Sequence, residues 1–308
     1  MKYYLMLMTA VLSFSFVGAL SKVAQGMVGV YTIVFCRFFF GVLFLFLIVK
    51  LQRKKITFHF NEKWIWIGML GKSINYLTEN HALLWGFSYG NIIVWPCQFI
   101  VFCMFSVFLL KEKITPVKWF AIFLCLSGVF MIAWNGVSAE TFFEGGNFYI
   151  FMLYVVSSIA GSFFVLSQKM LVGKMREEDM NISAFSLSAI FTSVPMFATF
   201  ELVGDINIWP ILAFIALGCI TGGAFLLNGK ALAHIPFYIA GILQNTVVVF
   251  SLIWGALFFN EEITTFVIVG TLTFALGLVV VNLPNIRKGK TANSDGTKMQ
   301  AIKDTGKT

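Results

Sequence analysis

Three ionisable residues stand inside otherwise apolar runs: Arg37, Lys72 and Glu79. A charge in such a run costs about 2.5–3.5 kcal/mol on insertion scales, and it ordinarily lines a pathway or meets a partner. The spacing of Lys72 and Glu79 puts them on one helix face about two turns apart, with Asn75 and Tyr76 between them. Such a stripe can hold both ends of a zwitterion. Lys72 would meet a carboxylate or phosphate, and Glu79 an ammonium group or a transported proton. Arg37 offers an alternative, an ion pair with Glu79 that clamps two helices.

Further polar side chains sit in apolar runs at Gln98, Asn228, Gln244 and Asn245. Each either lines the same site or joins helices through an amide hydrogen bond. Pro96 frees the carbonyl of Ile92, which can then bend its helix or meet a substrate. Tyr76, Trp85, Tyr89 and Trp95 adjoin polar residues and are the aromatic faces best placed to hold a ring or a quaternary ammonium. The 36 phenylalanines read as packing. Small residues at Gly222, Gly223 and Gly229, and at Ser157, Ser158, Gly161 and Ser162, permit close helix approach. The five cysteines form no C-x-x-C pair, and His81 and His234 lack ligand-like neighbours. No metal and no cofactor is expected.

The elements that carry these residues must be membrane helices. The chain is 59% hydrophobic and 12% charged, with a mean hydropathy of +0.87. That leaves too little polar surface for a water-facing exterior. A span needs about 20 apolar residues, because the hydrocarbon layer is roughly 30 Å thick. Ten runs qualify: 3–21, 30–50, 64–84, 88–110, 116–134, 147–168, 181–201, 208–228, 237–259 and 265–283. They are apolar all round rather than alternating, which argues against a β-barrel. The first run, after Lys2, reads as an uncleaved helix rather than a signal peptide. By this reading Lys72 lies about 18 Å from the outer end of its helix, near the midplane.

Basic residues select the cytoplasmic side of short loops. With the N-terminus inside and ten alternating spans, Lys22 alone of the 22 lysines and arginines faces outward. Arg37 and Lys72 are intramembrane, and the remaining 19 are cytoplasmic. The net charge of +8 therefore needs no nucleic acid; the basic loops face anionic lipid. Both termini are expected inside the cell membrane, with 285–308 a disordered tail.

The two halves match at an offset of 149 residues: Tyr89 with Tyr238, Ala82-Leu83 with Ala231-Leu232, Glu112, Ile114 and Thr115 with Glu261, Ile263 and Thr264, and Gly128 with Gly277. Five helices is an odd number, so the second half enters from the opposite side. This predicts inverted repeats, 1–135 and 147–284, with a midplane site between them. Thr115-Pro116 and Thr264 read as helix starts, so Glu112 and Glu261 are structural.

In combination, Arg37-Phe38, Ala82-Leu83, Pro96, LLKEKIT (109–115) and Gly128-Val129, repeated as Ala231-Leu232, FFNEEIT (258–264) and Gly277-Leu278, resemble the EamA family of the drug/metabolite transporter superfamily. The resemblance covers all but the tail. It implies a ten-helix inverted-repeat carrier with a central cavity, moving amino acids, other metabolites or toxic compounds, often outward. The second half departs from the first, with Asn245 for Pro96, Thr221 for Lys72 and Asn228 for Glu79. An amino acid or related zwitterion is the expected substrate, and an organic cation the alternative. The protein is expected as a monomer or homodimer. The spans hold no H-E-x-x-H, G-x-S-x-G or aspartate pair, so an enzyme is not expected.

Overall fold

A computed structural model describes residues 2–86, 93–108, 116–136, 138, 140, 143, 146–171, 173–232, 234, 243–244, 246–277 and 279–280. Asn245, Glu112, Tyr89, Tyr238 and the tail 285–308 lie outside them, as does the side chain of Pro96. The described residues form helices and no strand; Val28 and Leu202 pair in an isolated antiparallel bridge.

In chain order the helices are α1 (Lys2–Ser15), α2 (Val17–Gln25), α3 (Val30–Leu51), α4 (Lys63–Trp85), α5 (Val94–Phe108) and α6 (Pro116–Trp134). They continue with α7 (Asn147–Leu171), α8 (Glu177–Ala198), α9 (Ile208–Cys219), a π-helical turn (Ile220–Ala224), α10 (Phe225–Leu232), α11 (Thr246–Phe259) and α12 (Thr265–Gly277). Five segments are long and apolar enough to cross a membrane: Lys2–Gln25, Val30–Leu51, Asn147–Gln168, Glu177–Ala198 and Ile208–Ala231. Trp119–Ile132, Thr246–Phe259 and Thr265–Gly277 are shorter apolar helices. The helix α4 is 23 residues long but less apolar, because Lys72, Asn75, Glu79 and Asn80 occupy it.

Local chemistry explains the boundaries. α6 begins at Pro116, where the missing N–H costs nothing. Thr264 caps α12 by accepting from the Val267 N–H at 3.4 Å, and its hydroxyl also bonds Asn135. The helix expected at 181–201 starts earlier, at Glu177. Glu177, Glu178 and Asp179 form its first turn, where carboxylates complement the positive end of the helix dipole. The first span divides at Phe16, where the Ser13 and Ser15 hydroxyls bond back to Thr9 and Leu12 carbonyls and compete with the helical ladder.

Contacts recur in swapped pairs at the 149 offset. A Cβ on Gly128 would lie 2.5 Å from the Gly270 carbonyl and 2.6 Å from the Phe274 nitrogen. One on Gly277 would lie 2.9 Å from the Ala121 carbonyl and 2.9 Å from the Cys125 nitrogen, which are the same positions exchanged between halves. The Cys125 thiol points to the Phe274 carbonyl, its own counterpart. Along this crossing, α6 and α12 run antiparallel, since Ala121 and Cys125 meet Gly277 while Gly136 meets Phe266. The counterparts α3 and α8 are antiparallel too. Phe35 neighbours Phe197 at one end, and Thr57 beyond α3 meets Asp179 at the other.

The two ends of the α3–α8 pair are tied differently. At one end Asp179 accepts from the Thr57 N–H at 3.2 Å and from Arg176, Ser183 accepts from the His59 N–H at 3.0 Å, and Lys230 reaches Glu178 at 2.8 Å. At the other end the hydrogen bonds among the described residues are between backbone groups, Val203 N–H to Met27 at 2.9 Å and Gly29 N–H to Glu201 at 3.3 Å, beside the Phe35–Phe197 ring contact.

Candidate functional site

The stripe on α4 faces inward. Lys72, Asn75, Tyr76 and Glu79 follow the i, i+3, i+4, i+7 spacing of one helix face, and all four are buried. This face meets α3, α7 and the rod formed by α9, the π turn and α10.

Lys72 is held by its own protein. Its ammonium donates to Asn75 Oδ1 at 2.8 Å and lies 4.2 Å from the Tyr76 ring centre, 4.5 Å from that of Phe225 and 5.4 Å from that of Phe164. Asn75 is fixed in turn. Its Nδ2 donates to the Ser157 carbonyl at 3.0 Å and to the Ser157 hydroxyl at 2.7 Å, and that hydroxyl donates back to the Asn75 carbonyl at 3.0 Å. Gly161, one turn further on α7, leaves room: a Cβ there would sit 3.2 Å from Asn75 Nδ2 and 3.4 Å from Gln98 Nε2. Gln98 of α5 thus borders the same spot.

Tyr76 joins the two sides. Its hydroxyl lies 3.3 Å from Thr221 Oγ1 in the π turn, its ring stacks on Phe38 at 5.0 Å, and the Arg37 guanidinium carbon lies 3.5 Å from its centre. The π turn arises where Thr221-Gly222-Gly223 removes bulk. A Cβ on Gly222 would come within 2.6 Å of the Gly41 carbonyl on α3. Such turns inside helices recur at functional sites.

The site straddles the line that relates the halves. Thr221 and Phe225 are the 149-offset counterparts of Lys72 and Tyr76. The Tyr76–Thr221 contact and the Lys72–Phe225 contact are therefore one contact seen twice, with the halves exchanged.

Three of the alternatives left open by the sequence take a definite form. Arg37 does not pair with Glu79: among the described residues the ion pairs are Lys54–Glu178, Arg176–Asp179 and Lys230–Glu178. Arg37 packs on Tyr76 instead, where α3 crosses α4. Trp85 is 58% exposed at the end of α4, beside Tyr149, and the aromatic walls are Phe164 and Phe225. Third, of the two roles open to them, Asn228 and Gln244 show the amide hydrogen bond. They bond each other at 2.6 Å, half-buried, with Asn228 one turn beyond Phe225. Trp95 reaches the cluster through Phe14, whose ring lies 5.4 Å from Trp95 and 4.9 Å from Phe225. Sequence reasoning missed Ser157 and Thr221 as partners, and Asn80, whose carbonyl accepts from Gln25 at 2.8 Å. The offset itself pointed to Thr221 and Phe225.

A chain whose described residues form helices and no strand, with several membrane-length apolar helices and a buried ionic stripe, is a multi-pass membrane protein. The model of the EamA-like transporter family matches it twice, over residues 1–134 and 147–283. The chain belongs to the EamA-like transporter family, and so is a membrane transporter of the drug/metabolite type. No curated protein matches the sequence significantly. A solved crystal structure superposes with a TM-score of 0.68 at 16% identity, covering 91% of this chain and 97% of its own, which speaks for the fold.

Proposed function

We propose that this protein is a secondary transporter that carries a small zwitterion, of the amino-acid kind, across the cell membrane by alternating access. The observation that carries the reading is the burial of two cations and one carboxylate, with both cations against aromatic rings where the halves meet. In a low-dielectric interior such groups are costly unless a ligand of opposite charge complements them. The scaffold is two inverted five-helix repeats, 1–135 and 147–284, crossing the membrane ten times. The antiparallel course of α3 with α8 and of α6 with α12 supports this, since counterparts related by an axis along the membrane normal would run parallel. The meeting of Lys54, Arg176 and Lys230 at one end supports a cytoplasmic assignment for that end.

A carrier for organic cations is the second reading. The three rings around the Lys72 ammonium form the kind of enclosure that holds a quaternary amine. Counterflow separates the two. Proteoliposomes holding the full chain and preloaded with unlabelled solute are given labelled L-leucine or labelled choline. Saturable accumulation of leucine with choline excluded supports the zwitterion; the reverse selects the cation. Flux that never saturates rejects a carrier altogether.

A further inference from the structure

Resting on the zwitterion reading, we infer that the carboxylate of the substrate is bound by Arg37, and that Lys72 is a built-in part of the wall. Arg37 is 2% exposed, yet its Nε and Nη1 meet no hydrogen-bond acceptor among the described residues. A guanidinium stays charged in any protein environment and offers five donors. The Tyr76 ring lies 3.5 Å from the guanidinium carbon, and stacking on that face leaves Nε–H and Nη1–H without an acceptor. Nε and Nη1 each complete a two-pronged edge with Nη2. Either edge matches a carboxylate by two parallel charge-assisted bonds.

Lys72 has no such vacancy of partners. Its ammonium is bonded to Asn75, which is locked to Ser157, and it faces three rings. One of its three N–H donors is thus spent on Asn75, and the ammonium sits against the ring faces. Glu79 is 7% exposed and makes no hydrogen bond or ion pair with the described residues, so it is the group left for the ammonium end of the ligand. The substrate class that follows is a free amino acid or close analogue with an unmodified carboxylate. Carboxamides, esters and decarboxylated amines are excluded by the unmet donors they would leave on Arg37.

The test is binding to the purified full-length chain, read as a thermal shift and titrated. Probes are the standard L-amino acids, each beside its own carboxamide. Wild type is expected to bind at least one acid about tenfold or more tightly than its amide. Arg37→Gln should weaken that acid roughly ten- to hundredfold, the range of a lost charge-assisted pair, and make acid and amide equal. Lys72→Met should keep the preference of acid over amide. If Arg37→Gln is not recovered folded, Arg37→Lys decides: it keeps the charge but loses the fork, and acid affinity equal to wild type overturns the assignment. An acid preference that survives Arg37→Gln, or vanishes in Lys72→Met, overturns it too, while leaving the zwitterion reading in place. A wild type that binds neither acids nor amides sinks both.

Discussion

The helix α4 and the rod from α9 through the π turn to α10 occupy equivalent places in the two halves, yet only α4 carries charge on the face where they meet. Lys72, Asn75, Tyr76 and Glu79 on α4 correspond to Thr221, Ala224, Phe225 and Asn228 on the rod. The backbone frame repeats, down to the Tyr76–Thr221 and Lys72–Phe225 contacts, while the charges do not. Repetition and asymmetry answer different needs. A symmetric frame gives two end states of similar energy, which alternating access requires. On the proposed zwitterion reading, a ligand with two unlike ends needs an asymmetric site, and the α4 half supplies it. The rod contributes hydroxyl, ring and room. Its small residues let α3 approach, and the π turn aims Thr221 at Tyr76.

The comparison is broken most severely at the α6–α12 crossing, where the frame depends on both halves alike. Gly128→Val forces a side chain into the Gly270 carbonyl and the Phe274 backbone, and Gly277→Val does the same to Ala121 and Cys125. Each should cost about 3 kcal/mol, and by similar amounts, seen as matched losses of melting temperature. Gly29→Ala, where an added Cβ meets nothing within 4 Å, should leave the melting temperature unchanged.

Next comes the polar side. Asn75→Leu removes the acceptor for Lys72 and the donor for Ser157, leaving both buried groups short of a partner. A loss of about 2 kcal/mol in thermal denaturation is expected. Lys72→Ala vacates the ring enclosure. In counterflow, leucine uptake should fall about tenfold while choline uptake rises, because an external ammonium can take the freed place. The smallest effect belongs to the neutral side. Thr221→Val keeps the shape and loses one 3.3 Å contact, so stability should change by under about 1 kcal/mol.

How far this arrangement is readable from sequence differs along the chain. Hydropathy marks α3, α6 and α7 closely, because an all-round apolar run of about 20 residues has few other uses. The α4 stripe is legible from spacing alone, since 3.6 residues per turn aligns 72, 75, 76 and 79. The partners of that stripe are less so. Arg37 lies on another helix, and whether it meets Glu79 or Tyr76 depends on how α3 crosses α4, which is a matter of packing. Phe164 and Phe225 are two phenylalanines among 36, and only their position opposite Lys72 distinguishes them. The π turn leaves no periodic trace. The early start of α8 was legible in principle, because Glu177, Glu178 and Asp179 are what a helix N-terminus favours.

The most direct test of the account is the accessibility of position 221. Thr221→Cys is made in a chain whose native cysteines are replaced, and oriented vesicles are exposed to a membrane-impermeant thiol reagent on one side or the other. Thr221 is fully buried in the structure, on the line between the halves. Slow labelling is expected from both sides, suppressed on both by a bound amino acid. Labelling from one side only, or a rate indifferent to ligand, would contradict it.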